Sequence, residues 1–129
     1  MDVDEIRHHL GVAGPPGGTV PIVVFLPSHD RLGEPIDQPR WRDEWLGLLA
    51  EHFRGATAFP PGRGVWRDDR TGSLLFEDTA VLFTIASPED VTSRSMVALG
   101  DMARRFGRES NQGEVGLWVN GVYHAFVEY

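Results

Sequence analysis

The segment from Phe59 to Glu77 reads FPPGRGVWRDDRTGSLLFE. Its prolines and glycines interrupt one strand near its start, and the polar run from Asp68 to Gly72 provides a turn with a glycine for a positive φ angle. The strand pattern continues beyond this segment, because apolar residues alternate with others from Leu74 to Ala86. The segment therefore predicts a β-hairpin whose second strand is the longest in the chain. That length also suggests a bulge near Glu77 and Asp78.

Other regular elements flank this hairpin. The near-continuous apolar run from Val20 to Leu26 predicts a buried central strand. The residues from Asp37 to Arg54 predict a helix, since tryptophans and leucines recur at helical spacing and Pro39 suits a first turn. A second helix is expected to begin at Ser87, which can cap it ahead of a first-turn proline, and to end at Gly107.

The dipeptide Asn120-Gly121 gives the strongest hairpin signal in the chain, because a type I′ turn requires positive φ at both central residues. It joins a strand over Glu114–Val119 to a strand over Val122–Tyr129. A two-residue turn fixes the register of the two strands, so that Trp118 faces Tyr123. Both side chains are predicted to lie on the same face of the sheet.

The order of the elements is β-α-β-β-α-β with an extra C-terminal strand. This order predicts an α+β fold of the ferredoxin-like kind, an antiparallel sheet with two helices on one face. Residues 20–129 would form a single α+β domain, and residues 1–19 an N-terminal arm and Gly/Pro linker. A frayed terminus explains the arm better than docking on a partner. Because Trp118 and Tyr123 would lie on the face without helices, we expect a homodimer to cover that face.

The composition limits the chemistry. The 129-residue chain has a formal net charge of −7 and a pI near 5.1, which disfavours nucleic-acid binding. It contains neither cysteine nor lysine, which excludes disulfides, thiolate metal sites, cysteine nucleophiles and lysine Schiff bases. No signal-peptide pattern and no apolar run of transmembrane length is present, so we expect a cytoplasmic protein without membrane contact.

The first candidate group lies on the hairpin and consists of Arg63, Trp66, Arg67 and Arg70, of which the first three are the predicted ligand-binding residues. Arginines beside a loop shaped by glycine and proline can clamp a carboxylate or phosphate, and an indole ring can stack on a planar group. The alternative is a solvated hairpin with Trp66 packed in the core.

Glu77 and His29 are the candidate catalytic residues. Glu77 shares a strand face with Val81 and Phe83, so partial desolvation would raise its pKa towards the range of a general base. Arg67, across the predicted hairpin, could instead form a structural pair with it. His29 follows the central strand and is the best acid/base candidate among the histidines. No histidine shows metal-ligand spacing, and neither a metal nor a cofactor is predicted.

Asn111 and Glu114 complete the predicted ligand-binding set. Together with Gln112 they offer side-chain donors and acceptors just before a strand, where they could hold a polar ligand. Loop capping and turn formation explain the same residues equally well.

Several short blocks of the sequence look familiar together: Leu26-Pro-Ser-His-Asp-Arg, Phe53-Arg-Gly-Ala-Thr, Gly64-Val-Trp-Arg-Asp, Glu77 and Asn111-Gln-Gly-Glu-Val. They resemble small uncharacterised bacterial proteins of the domain-of-unknown-function type, which share a Trp-rich first helix and a Gly-x-Trp-x-Asp stretch. The resemblance covers residues 20–119. It implies no activity and assigns no catalytic residue.

The sequence therefore supports three functional hypotheses. The first is a small-molecule-binding domain or small acid/base enzyme that acts on a polar or anionic organic ligand. The alternative is a non-enzymatic interaction or regulatory module that uses the aromatic sheet face. The third is nucleotide or nucleic-acid binding through the hairpin from Arg63 to Arg70.

Overall fold

The computed structural model describes all 129 residues. The chain forms three α-helices and six β-strands. The helices are α1 (Val3–Leu10), α2 (Gln38–Phe53) and α3 (Ser93–Glu109), and the strands are β1 (Val20–Pro27), β2 (Thr57–Ala58), β3 (Gly62–Arg67), β4 (Leu74–Ala86), β5 (Val115–Val119) and β6 (Val122–Phe126). None of the helices combines the length and the apolar character that crossing a bilayer requires.

The strands form one sheet in the order β2-β4-β1-β5-β6, and β3 pairs separately with the first half of β4. Every pairing is antiparallel, which confirms the predicted α+β class with an antiparallel sheet. The strand order differs in detail from the predicted ferredoxin-like plan, because two short strands form the edge next to β4. Pro60 and Pro61 separate β2 from β3, since proline supplies no backbone N–H to a strand ladder.

One face of the sheet packs against α2 and α3. The central strand β1 contributes Ile22, Val24 and Leu26, all without solvent exposure. Trp45 from α2 and Phe106 from α3 are also fully buried, and their ring centroids lie 6.5 Å apart. Because this core takes up both long helices, the other face of the sheet is left for a site.

Strand β4 is continuous over its thirteen residues, so the predicted bulge near Glu77 is absent. Its second half, Thr79–Ala86, pairs with β1, whereas Leu74–Thr79 pairs with β3. The first half therefore runs beyond the end of β1 as a two-stranded hairpin with β3. We call this hairpin, residues 62–78, the β3–β4 arm.

The C-terminal hairpin has the predicted register. Trp118 pairs with Tyr123 and Val119 with Val122, which confirms the two-residue turn. Asn120 and Gly121 have φ angles of 48° and 95°, as a type I′ turn requires.

The last helix begins later than predicted. Ser87 precedes only a 3₁₀ turn over Pro88–Asp90 and makes no side-chain capping bond. α3 begins at Ser93, because Thr92 and Ser95 form a reciprocal capping box one turn further on. The helix then continues past the expected end at Gly107 to Glu109.

The second sheet face, which we call the outer face, is only partly covered. It carries Val23, Phe83 and Trp118, which are half-buried, and Ile85 and Tyr123, which are 50% and 43% exposed. The predicted face of Trp118 and Tyr123 is therefore apolar and accessible over much of its area. A cavity occupies one end of it.

Candidate functional site

A cavity of about 790 Å³ lies at the end of the outer face where β1 finishes. The β3–β4 arm forms one wall with Trp66 and Leu75, and the loop after β1 contributes His29. Glu114, just before β5, and Tyr123, on β6, line it as well. The volume falls in the range of small-molecule binding sites, about 300–1,000 Å³.

His29 and Glu77 meet in this cavity. Nδ1 of His29 lies 3.9 Å from Oε2 of Glu77 and 2.8 Å from the hydroxyl of Ser28. They meet because Pro27, at the end of β1, pairs with Thr79, two residues beyond Glu77 on β4. The structure thus brings the two sequence-predicted acid/base residues together.

The surroundings of Glu77 perturb the pKa of its carboxyl. Desolvation by burial raises the pKa of the Glu77 carboxyl, and the backbone N–H of His29, the charge of His29 and the backbone N–H of Ser28 offset part of that rise. The Glu77 side chain keeps 21% of its surface exposed, so a ligand in the cavity can reach it. A half-buried carboxyl with a raised pKa beside an imidazole is typical of acid/base sites.

Arg67 is not the partner of Glu77. In the ladder of the arm, Arg67 stands opposite Leu74, and Gly64 stands opposite Glu77. The predicted Arg67–Glu77 pair is therefore wrong, because the register of the hairpin places the two residues at different levels. Arg67 instead donates a hydrogen bond from Nε to Oδ1 of Asp69, at 2.9 Å.

Trp66 lines the cavity from β3. Its side chain is 40% exposed, so the alternative in which it packs in the core is wrong. Strand alternation places Trp66 on the same side as Gly64, and the absence of a side chain at Gly64 leaves room beside Thr79. The arm therefore presents an accessible indole to the cavity.

Tyr123 and Glu114 form the opposite side. The Tyr123 hydroxyl donates to Oε2 of Glu114 at 2.8 Å. Desolvation, followed by the adjacent Glu114 carboxylate, raises the pKa of Tyr123 far above its ordinary value, so the phenol stays protonated. The ring lies against Gly116, where a Cβ would come within 2.3 Å of the hydroxyl, and its centroid is 6.1 Å from that of Phe25.

Arg63 and Asn111 do not line the cavity. Arg63 alternates to the other face of β3 from Trp66, and its guanidinium lies 4.7 Å from the ring centroid of Phe76. Asn111 adopts a left-handed conformation with a φ of 53°, and its carbonyl accepts the backbone N–H of Arg31 at 2.9 Å. The turn-forming alternative describes Asn111 better than ligand contact does.

Two further residues line the cavity: Gln112, which the sequence places beside Asn111 and Glu114, and Thr79, which was not singled out as a site residue. Gln112 is 5% exposed, and its Nε2 donates to the carbonyl of His29 at 3.1 Å. Thr79 is 8% exposed, and its hydroxyl has no hydrogen-bond partner. Alternation along β4 puts Thr79 on the face of Glu77, and this signal could have found it. No local pattern links Gln112 to His29.

The cavity is acidic. Arg31, Arg67 and His29 face five carboxylates, those of Asp30, Asp68, Asp69, Glu77 and Glu114. Both arginines already have partners, since Arg31 donates to the carbonyl of Gln112 at 2.6 Å and Arg67 donates to Asp69. No three side chains of the metal-ligand types come together in a way that could hold a metal ion. This charge balance favours a cationic ligand over an anion.

Comparisons with known proteins support the fold only. A phage SAM lyase in complex with S-methyl-5′-thioadenosine superposes with a TM-score of 0.66, at 12% identity, over 90% of this chain and 95% of that chain. A phage SAM lyase in the apo state gives 0.57, at 14% identity, over 90% and 94%. No family model and no curated protein matches the sequence, which agrees with its resemblance to proteins without an assigned activity.

Proposed function

We propose that the protein is a small-molecule enzyme whose ligand occupies the cavity and exchanges a proton with His29, which Glu77 assists. The observation that supports this most directly is the half-buried Glu77 carboxyl beside His29 in a cavity of about 790 Å³. Nδ1 of His29 faces Ser28 and Glu77, and Nε2 has no partner within the protein. Proton transfer would use Nε2, and Glu77 would stabilise the imidazolium that forms.

The charge of the cavity narrows the ligand class. The sequence predicted a polar or anionic ligand because of its arginines, yet Arg63 lies outside the cavity and Arg67 is paired with Asp69. Five carboxylates and the aromatic rings of Trp66 and Tyr123 suit a cation that also carries a planar group. We therefore propose a cationic ligand.

The structural neighbours suggest a specific class of such ligands. S-adenosylmethionine carries a sulfonium cation and a planar adenine, and a phage SAM lyase of the same fold was solved with S-methyl-5′-thioadenosine. An adenosyl sulfonium would place its adenine against an aromatic ring and its positive charge among the carboxylates. We propose this class for the present chain.

Calorimetric titration with S-adenosylmethionine, S-methyl-5′-thioadenosine and adenosine monophosphate tests this assignment. We expect the first two to bind with Kd values below about 1 mM, and the anionic monophosphate to bind at least about tenfold more weakly. Turnover would be followed by chromatography of the products of S-adenosylmethionine. His29→Gln should lower turnover by about 10²- to 10⁴-fold, whereas Arg63→Ala, outside the cavity, should leave it unchanged. If neither adenosyl compound binds, the proposal fails.

The interaction-module hypothesis also has structural support. On the outer face, Ile85 is exposed and Trp118 is half-buried. On α1, Val3 and Leu10 are 61% and 70% exposed. We propose that the fold is a ferredoxin-like sheet with a split edge strand, and that two copies pair through their outer faces. This dimer is compatible with the enzyme, since the cavity takes up only one end of that face.

Nucleic-acid binding receives no such support. Arg67 is engaged with Asp69, and Arg63 lies over Phe76. The β3–β4 arm carries three arginines against four acidic residues, and the chain has a net charge of −7, so the arm has no excess of positive charge for a polyanion.

A further inference from the structure

We infer that Ser28 and Gln112 are positioning residues that hold His29 with its proton on Nδ1 and its Nε2 free towards the ligand. The inference rests on the proposed function for its purpose, but its evidence is the geometry around His29 alone. Ser28 anchors the imidazole ring, and Gln112 anchors the backbone that bears it.

The ring anchor is the Ser28 hydroxyl, 2.8 Å from Nδ1 of His29. The carboxylate of Glu77 lies 3.9 Å from the same nitrogen. A hydroxyl can donate or accept, whereas a carboxylate only accepts, so the pair together favours a proton on Nδ1. The proton on Nδ1 leaves the Nε2 lone pair as the acceptor for a ligand proton.

The backbone anchor is the Gln112 amide. Its Nε2 donates to the carbonyl of His29 at 3.1 Å and to the carbonyl of Ser110 at 3.3 Å. The side chain is buried, and amide hydrogen bonds in a dry environment are strong and directional. Gln112 thereby ties the His29 loop to the segment before β5.

Further hydrogen bonds hold the backbone of the loop that carries His29. Oδ1 of Asp30 accepts the backbone N–H groups of Leu32 and Glu34, at 2.8 and 3.0 Å. The backbone N–H and guanidinium of Arg31 donate to the carbonyls of Asn111 and Gln112. Because hydrogen bonds hold the backbone on both sides of His29, the position from which its ring extends into the cavity is fixed.

Other charged groups also act on the ring. Asp30 on the same loop and Glu77 on β4 both interact electrostatically with His29. Arg31, Arg67, Asp68, Asp69 and Glu114 line the same cavity. Among these groups, the Glu77 carboxylate lies 3.9 Å from Nδ1 and can only accept a hydrogen bond, so it acts in the same direction as a Ser28 hydroxyl that accepts from Nδ1.

Nitrogen-15 NMR of the imidazole rings, at a pH where histidine is neutral, reads the tautomer without any ligand. His29→Asn assigns the signal among the five histidines. The wild type should show mainly Nδ1–H at His29. Ser28→Ala and Gln112→Leu should each lower the ratio of Nδ1–H to Nε2–H by about 2- to 10-fold, the effect of one hydrogen bond.

Two controls separate positioning from general damage. Ser87→Ala removes a serine that makes no capping bond, and Ser110→Ala removes a buried hydrogen bond to Phe106 in the same segment as Gln112. Both should keep the wild-type tautomer ratio. A wild type with mainly Nε2–H, or Ser28→Ala and Gln112→Leu variants with an unchanged ratio, would overturn the inference.

The NMR outcome is independent of the proposed activity. If S-adenosylmethionine is turned over, the two variants should lower kcat and leave KM near its wild-type value, because they displace a reacting group rather than a binding surface. If no turnover is found, the proposed function fails, and the tautomer result still decides whether Ser28 and Gln112 position His29.

Discussion

At the scale of single residues, the ionisation of Glu77 links the site to folding stability. Because burial raises the pKa of Glu77, the folded protein holds this proton more tightly than the unfolded chain does. Stability is therefore lost as the pH rises from the ordinary value of 4.5 through the raised one, and the loss is complete above it. Glu77→Gln removes this loss.

We expect Glu77→Gln to match the wild type in free energy of unfolding near pH 4 and to exceed it at pH 7.5. Urea denaturation at several pH values measures the difference. Glu51→Gln, on the exposed side of α2, should show no such trend. A wild type that is the more stable protein at pH 7.5 would contradict the sign given above.

Thr79 and Thr84 are a matched pair of threonines on β4. The Thr79 hydroxyl is buried without a partner, whereas the Thr84 hydroxyl donates to the carbonyl of Gly55 at 2.5 Å. Thr79→Val should be neutral or stabilise the protein by up to about 1 kcal/mol, because valine has the same shape and no unpaired polar group. Thr84→Val should cost about 1–2 kcal/mol, because the Gly55 carbonyl loses its donor. Equal effects of the two changes in urea denaturation would exclude this explanation.

At the scale of elements, the start of α3 depends on Thr92. Its hydroxyl accepts the backbone N–H of Ser95, and the Ser95 hydroxyl accepts the backbone N–H of Thr92. Thr92→Ala should cost about 1 kcal/mol of stability, the usual effect of losing an N-cap. Ser87→Ala should cost nothing measurable. Denaturation midpoints, compared at an unchanged m-value, measure both effects. If Ser87 were the cap, as the sequence predicted, Ser87→Ala would be the more destabilising of the two changes.

The elements also show which sequence signals are sufficient. Asp37 caps α2, because its carboxylate accepts the backbone N–H of Arg40, and Pro39 occupies the first turn as predicted. The Ser-Pro-Glu-Asp motif at Ser87 misled the prediction, because a 3₁₀ turn satisfies the same motif. The capping box determines that α3 begins at Ser93 rather than just after Ser87. It requires two hydroxyls, those of Thr92 and Ser95, each of which accepts the backbone N–H of the other residue.

At the scale of the whole molecule, the proposed dimer makes a direct prediction. Ile85, near the C-terminal end of β4 on the outer face, is 50% exposed, and Val97, on the opposite side in α3, is 61% exposed. Light scattering should give the wild type twice the chain mass of 14.4 kDa. Ile85→Arg should lower the mass to that of a single chain, because the dimer would have to bury an unpaired charge in its interface. Val97→Arg should leave the mass of the dimer unchanged. A monomeric wild type at high concentration would end the proposal.

The division into an arm over residues 1–19 and a domain over residues 20–129 stays a prediction. α1 is a capped helix with no buried residue, which is compatible with such an arm.

Both residues predicted for acid/base chemistry line the cavity, whereas the ligand-binding residues predicted on the hairpin do not all line it. Side chains alternate between the two sides of β3. Trp66 lies on the side of the cavity, and Arg63 lies on the opposite side.

The sequence by itself determined the β5–β6 register, the helix α2 and the buried strand β1. Each follows from a short-range cause: the φ angles that a two-residue turn demands, the spacing of apolar residues, or a capping side chain. Only the tertiary structure decided that Glu77 meets His29 rather than Arg67, and that Gln112 reaches across 83 positions to the His29 carbonyl. These contacts depend on how distant strands align across the sheet, and the physical information for that alignment lies in the packing of the whole core rather than in any one segment.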